Sequence, residues 1–223
     1  MLQNVFRSRI LAEKTEMKRI ATTLILLLLA LTGMGKSTDI IFILDDDAAF
    51  RQGHIAVLVG NEITGWHYVS INGTGTVPTP WGINTNADTG TVITDKAGLR
   101  IRGLKRAIRR ACEINPKERH CYRHFKRIKT TAEEDSAVLF AAKNTASSIV
   151  YGIIGPGQSC IDVAQSAFSA LVKKRRLDKR GNVPGHTDLI PKRWFRKIEL
   201  RIKIANRRSR DGKGKITEIT ENY

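Results

Sequence analysis

Cys160 carries the strongest chemical signal in the chain. It stands in GPGQSCIDVAQSAF, where a Gly-Pro turn gives way to a segment of helical periodicity. A thiol in the first turn of a helix has its anionic form stabilised by unpaired backbone N–H groups and by the helix dipole. Far upstream, GHIAVLVGN places His54 at the start of an apolar, β-branched run. A histidine brought beside the thiol completes a nucleophile–base pair, the equipment for acyl transfer. The backbone N–H of Cys160 or Ile161 then offers an oxyanion donor. The plain alternatives are a buried helix-start cysteine and a structural histidine satisfied by its neighbours.

Three other groupings are weaker. GHTD offers a second base and orienter in His186 and Asp188, but the stretch between them and Cys160 is too short to build an intervening sheet. Cys112, His120, Cys121 and His124 are all metal-ligand types, yet their spacing matches no common finger and nearby Lys and Arg residues repel a cation. The expectation there is a basic surface carrying histidines, with no metal and no cofactor. ALTGMGKST fits the loose form of a phosphate-binding loop. Such a loop must feed a helix, whereas a strand-like run, IIFIL, follows Thr38 almost at once, so no nucleotide is expected.

The elements that must position Cys160 and His54 are readable from pattern. DIIFILDDD reads as a buried strand ending in an acidic turn at Asp45 to Asp47. GHIAVLVGN and GWHYVSING predict a hairpin with glycines at both ends. Residues 72–96, rich in Gly, Thr, Asn and Pro, predict a surface loop. Leu104, Ile108 and Ala111 share one face of a basic helix ending near Asn115-Pro116. Thr131 caps a helix that should run to about Val150, and Glu133, Glu134 and Asp135 in its first turn complement the dipole. Ile161, Ala164, Phe168 and Leu171 give the Cys160 helix a packing face. Pro191 opens a short helix through Trp194 and Phe195. Ile198, Leu200, Ile202 and Ile204 alternate with charged residues and predict a half-exposed strand. Residues 207–223 predict a polar, mobile tail.

A chain of 223 residues can bury a sizeable single core. Its 38 Lys and Arg against 21 Asp and Glu give a net charge of +17, which attracts polyanions and says nothing about fold. Lys18 and Arg19 precede IATTLILLLLALTG, an apolar run shorter than the ~20 residues of a membrane span. Charge, apolar run and small-residue exit form the layout of a secretory signal. Residues 1–35 are therefore expected to be a signal peptide, or a membrane anchor if retained, ahead of a domain over 36–206. A secreted or periplasmic setting disfavours nucleic acid as a partner and favours an anionic envelope polymer or lipid surface. In an oxidising compartment Cys112 and Cys121 can pair and leave Cys160 as the odd thiol, the alternative being three free thiols. Oligomeric state has no signal in the sequence.

GHIAVLVGN, GWHYVSING, FKRIKTTAEEDSA and SCIDVAQSAF together resemble the C-terminal domain of many Rhs-repeat-associated bacterial proteins, across residues 50–200. Those domains are similar to papain-like hydrolases in circularly permuted order, with His before Cys. The wider group includes cell-wall amidases and peptidases and the lecithin:retinol acyltransferase-like enzymes. The resemblance implies an α+β fold in which a helix bearing the nucleophile packs on an antiparallel sheet bearing the base. It implies that Cys160 is the nucleophile and His54 the base. Ser70 matches the polar residue that recurs late in the second strand and orients the base. His67 is the alternative orienter, chemically apt but on the opposite strand face. The implied activity is that of an exported cysteine peptidase or amidase acting on peptidoglycan or protein. The acyltransferase branch implies instead acyl transfer from a phospholipid through the same residues. A non-catalytic basic module on an envelope polymer needs neither Cys160 nor His54. The chain shows its own signal-like segment and no Rhs repeats, so it is not expected to be a toxin tip on a long carrier.

Overall fold

Two unbroken apolar runs, TDIIFILD and HIAVLVGN, form the centre of the sheet, because strands this hydrophobic must be covered on both faces. The computed structural model describes residues 38–73, 83–114, 120–147, 150–151, 157–178, 190–207, 215–216 and 218–222. β1 (Thr38–Asp45) and β2 (His54–Asn61) are buried along their whole length and pair antiparallel, with Asp45 opposite His54. A single turn, α1 (Ala48–Arg51), links them. β3 (Gly65–Gly73) follows β2 through a tight hairpin. At its neck Gly60 has φ +146°, and a Cβ there would stand 2.2 Å from the Gly65 carbonyl oxygen, so only glycine fits.

β4 (Ile83–Val92), β5 (His124–Thr130), β6 (Val150–Tyr151) and β7 (Glu218–Asn222) complete a seven-stranded antiparallel sheet of order β6-β4-β3-β2-β1-β5-β7. Strand alternation sends Ile40, Phe42, Ile55, Val57 and Val69 to one face. Ile41, Ile43, Ala56, Leu58 and Tyr68 go to the other. The second face is covered by α2 (Leu104–Ile114) through Leu104, Ala107, Ile108 and Ala111. The first is covered by α3 (Ala132–Ala146), α4 (Cys160–Lys174), α5 (Pro191–Arg196) and α6 (Ile198–Asn206). Helices on both faces of an antiparallel sheet make this an α+β fold.

Capping fixes where the two longest helices start. Thr131 and Ser159 each close a capping box, with Glu134 and Asp162 as the reciprocal partners. A cap is worth ~1 kcal/mol, whereas a fully buried large side chain contributes ~1.5–3 kcal/mol. Phe168 and Leu171, both at 0% exposure, therefore outweigh the cap. Packing holds α4 in place; the cap decides that it begins at Cys160.

The structure departs from the sequence expectations at four places. Ile198 to Asn206 is helix, not strand: Ile198, Arg201, Ile202 and Ala205 are buried and Leu200 is 52% exposed. Apolar residues at 198 and 202 satisfy a helical period as well as an alternating one, and the edge beside β5 is taken by β7. Part of the expected loop at 72–96 is β4, a polar strand whose register shifts beside Tyr68 and Val69 of β3. Backbone pairing needs no apolar side chains, so its Thr, Asn and Gly content hid it. The expected tail supplies β7, and Ile216 is buried, its backbone bracketed by the Asn206 side chain at 2.9 and 3.0 Å. α3 also stops at Ala146, short of Val150, which enters β6. Among the described residues no helix is long and apolar enough to cross a membrane. The apolar run after Arg19 lies outside them.

Candidate active site

His54 is the first residue of β2, held behind Gly53 (φ +94°), and is 4% exposed. Its ring shares the sheet face of Ala56 and Leu58 by strand alternation. Nε2 lies 2.8 Å from Oγ of Ser70, itself buried on the neighbouring β3. The Ser70 hydroxyl also favours the ionised form of Tyr68, whose phenol is nonetheless pushed upward, chiefly by burial. Tyr68 Oη is 2.7 Å from Tyr122 Oη. His54, Ser70, Tyr68 and Tyr122 thus form a buried polar run inside an otherwise apolar layer. Where Nε2–H donates to Ser70, Nδ1 keeps the lone pair that a base needs.

Burial, and after it the charge of His120, hold His54 well below its ordinary pKa of 6.5, with Asp45 pulling partly the other way. The imidazole is therefore uncharged at neutral pH.

His120 is the neighbour that sequence reading missed. Its ring stacks on that of His54, centroids 3.9 Å apart and planes 6° from parallel. Its Nε2 lies 3.1 Å from Asn72 Oδ1 and its Nδ1 3.4 Å from Asp45 Oδ2. Asp45 is held in turn by backbone N–H donors: Asp47 and Ala48 to Oδ1 at 3.1 and 3.3 Å, Cys121 to Oδ2 at 2.9 Å. Burial raises the Asp45 carboxyl, but the His120 contact and the Cys121 and Asp47 N–H groups together outweigh it and leave it below the usual carboxylate range. No local pattern announces His120. It reaches His54 because β5 pairs with β1 and brings the segment before β5 to the end of the sheet where β2 begins.

Cys160 opens α4 and is 2% exposed. Ser159 N and Oγ both donate to Asp162 Oδ2 at 2.7 Å, which fixes the first turn around the thiol. Cys160 belongs to the apolar cluster of the face covered by α3 to α6, with Ile55 and Val57, opposite the face that His54 shares with Ala56 and Leu58. Tyr122 is shared by the two halves of the site. Its ring centroid is 6.2 Å from that of His54. Burial chiefly, then Tyr68, Cys112 and Cys160, push its phenol well upward, so a thiolate at Cys160 lies within electrostatic reach. His54 and Ser70 are thus in direct contact, and Cys160 acts electrostatically on the same Tyr122 whose ring lies beside His54.

The remaining candidates are dispersed. His67 Nδ1 lies 3.2 Å from the Gly90 carbonyl and pairs across from Val59, away from His54. Ser70, not His67, is the residue in contact with His54. His186 and Asp188 lie outside the described residues. His124 faces Asp46 at 3.5 Å, Cys112 Sγ donates to the Ile108 carbonyl at 3.4 Å, and Cys121 is exposed. All three cysteines are free thiols. Among the described residues no three His, Cys, Asp or Glu side chains are grouped to hold a metal ion. β1 begins at Thr38, so the phosphate-loop-like GMGKST leads into a strand.

No protein-family model, curated protein or solved structure matches the chain.

Proposed function

We propose that the chain is an exported cysteine hydrolase that cleaves an amide bond, with Cys160 as nucleophile, His54 as base and Ser70 as its orienting residue. The observation that carries this reading is the 2.8 Å bond between His54 Nε2 and Ser70 Oγ. It occupies one ring nitrogen at the start of β2 and leaves Nδ1 for the thiol. His54 opens β2 on the α2-covered face and Cys160 opens α4 on the other, so the reading requires the two side chains to meet beyond the strand end.

In the reaction, Nδ1 of His54 takes the Sγ proton as the sulfur electron pair forms a bond to the amide carbonyl carbon. The carbonyl π pair moves to oxygen, which is held by N–H groups of the first turn of α4. Collapse breaks the C–N bond, and the amine leaves with the proton from His54. Water then attacks the thioester, passing its proton through His54 to the departing thiolate. The net charge of +17 supports a peptide or cell-wall substrate on an anionic polymer or lipid surface.

Iodoacetamide at pH 7, read by peptide-resolved mass spectrometry, tests the dyad. Cys160 should be alkylated, and His54→Ala should slow that alkylation by about tenfold or more. A wild-type Cys160 that resists iodoacetamide at neutral pH overturns the assignment.

A further inference from the structure

The polar cluster around His54 holds more than an orienting hydroxyl requires. His120 is held at two points, its ring on the His54 ring at 3.9 Å and its Nε2 at Asn72, while its Nδ1 lies 3.4 Å from Asp45 Oδ2 without hydrogen-bond geometry. Two rings 6° from parallel cannot turn independently, since rotating either drives its edge into the other's face. Asp45 is itself immobilised by N–H groups from the turn after β1 and from Cys121, so the arrangement is braced by backbone.

We propose that His120 is a positioning residue for His54, fixing the plane of the imidazole by stacking and disfavouring a positive charge on it when His120 itself carries one. This rests on the reading of His54 as the base for Cys160. Ser70 restrains His54 along one edge and His120 across its face, so the two restraints are complementary. The charge effect has a clear direction. An imidazolium at His120, with Asp45 as counter-ion, lies against His54 and raises the free energy of protonating it, in line with its depressed proton affinity. The titratable groups placed against this pair are Asp45 on β1 and Tyr122 before β5; Tyr68 on β3 bonds Tyr122, and Cys112 on α2 and Cys160 on α4 act electrostatically on Tyr122. Asp46, His124 and Lys192 form a partly exposed cluster beside Asp45.

Phenylalanine and glutamine at position 120 separate the two effects. His120→Phe keeps a flat ring and removes the charge; His120→Gln removes both. The first readout is the NMR titration of the His54 ring in the full chain, which needs no substrate. Its midpoint should move to higher pH in both variants. The second readout is the pH profile of Cys160 alkylation by iodoacetamide. His120→Phe should match wild type at pH 8 and move the acid limb upward. His120→Gln should also lose about threefold or more at pH 8, because the plane of His54 is no longer held. A His54 midpoint unchanged in both folded variants overturns the proposal. If one variant fails to fold, the midpoint in the other decides. If the midpoint moves but His54→Ala leaves Cys160 alkylation untouched, the coupling of the two rings stands and the assignment of Cys160 as their target falls.

Discussion

Ser70 restrains His54 through one short bond inside a closed layer, so its removal is felt twice. Ser70→Ala leaves Nε2 buried without a partner, and a loss of about 1–2 kcal/mol is expected in the denaturant midpoint. Slower alkylation of Cys160 should accompany it. The sign of the pH effect at His54 follows from its depressed pKa. Between the folded value and 6.5 the unfolded chain binds a proton that the folded chain refuses, so stability is lost as pH falls below 6.5. His54→Gln should flatten that acid slope in thermal melts taken across pH 5–7. Cys160 and His54 were readable in sequence because their signals are local, a helix start after a Gly-Pro turn and a strand start after glycine. Ser70 came from resemblance to a family rather than from spacing. His120 was not readable, because its partners Asp45, His54 and Asn72 lie on three different strands.

The same division runs through the elements. β1 and β2 announce themselves because burial on both faces demands an unbroken apolar run. α3 does so because Thr131 caps an acidic first turn, and α4 because Ile161, Ala164, Phe168 and Leu171 repeat at helical spacing after a Gly-Pro turn. α6 did not, since Ile198, Leu200, Ile202 and Ile204 fit two periods and only docking on the sheet selects one. That choice can be measured. On a strand Leu200 and Ile202 would be equivalent; on α6 Leu200 is 52% exposed and Ile202 6%. Leu200→Lys should change stability by no more than about 0.5 kcal/mol, and Ile202→Ala should cost about 2–4 kcal/mol. Equal effects at the two positions would restore the strand. For α4, Ser159→Ala should cost about 1 kcal/mol and lower Cys160 reactivity, because the capped turn carries the thiol.

Across the whole molecule the titration of buried groups pulls in opposing directions. Asp135, in the first turn of α3, accepts from Thr130 Oγ1 at 2.5 Å, yet burial first, with Asp39 and Glu134 adding to it, pushes its carboxyl from 3.8 up to about 7. Its folded pKa is raised, so its contribution is fully present below 3.8 and is lost as pH rises through 7. Asp135→Asn should therefore gain in Tm over wild type at pH 8 and little at pH 4. His54→Gln should show the reverse bias, gaining on the acid side. A matching pair of slopes in the two variants would contradict both assignments. The net charge of +17 predicts that any binding to anionic vesicles weakens steeply with added salt and survives Cys160→Ala.

By itself the sequence determined the mix of strands and helices, the central strands, the start of α4 near Cys160 and the presence of a thiol and an imidazole at the ends of two elements. Each is written in contiguous residues, through apolar run length, cap chemistry or glycine placement. Tertiary structure alone decided that Ser70 bonds the ring of His54, that His120 stacks upon it, that Ile198 to Asn206 is a helix and that residues 218–222 close the sheet. Those outcomes depend on which strands become neighbours, and strand pairing is settled by burial summed over the whole chain, not by any one segment.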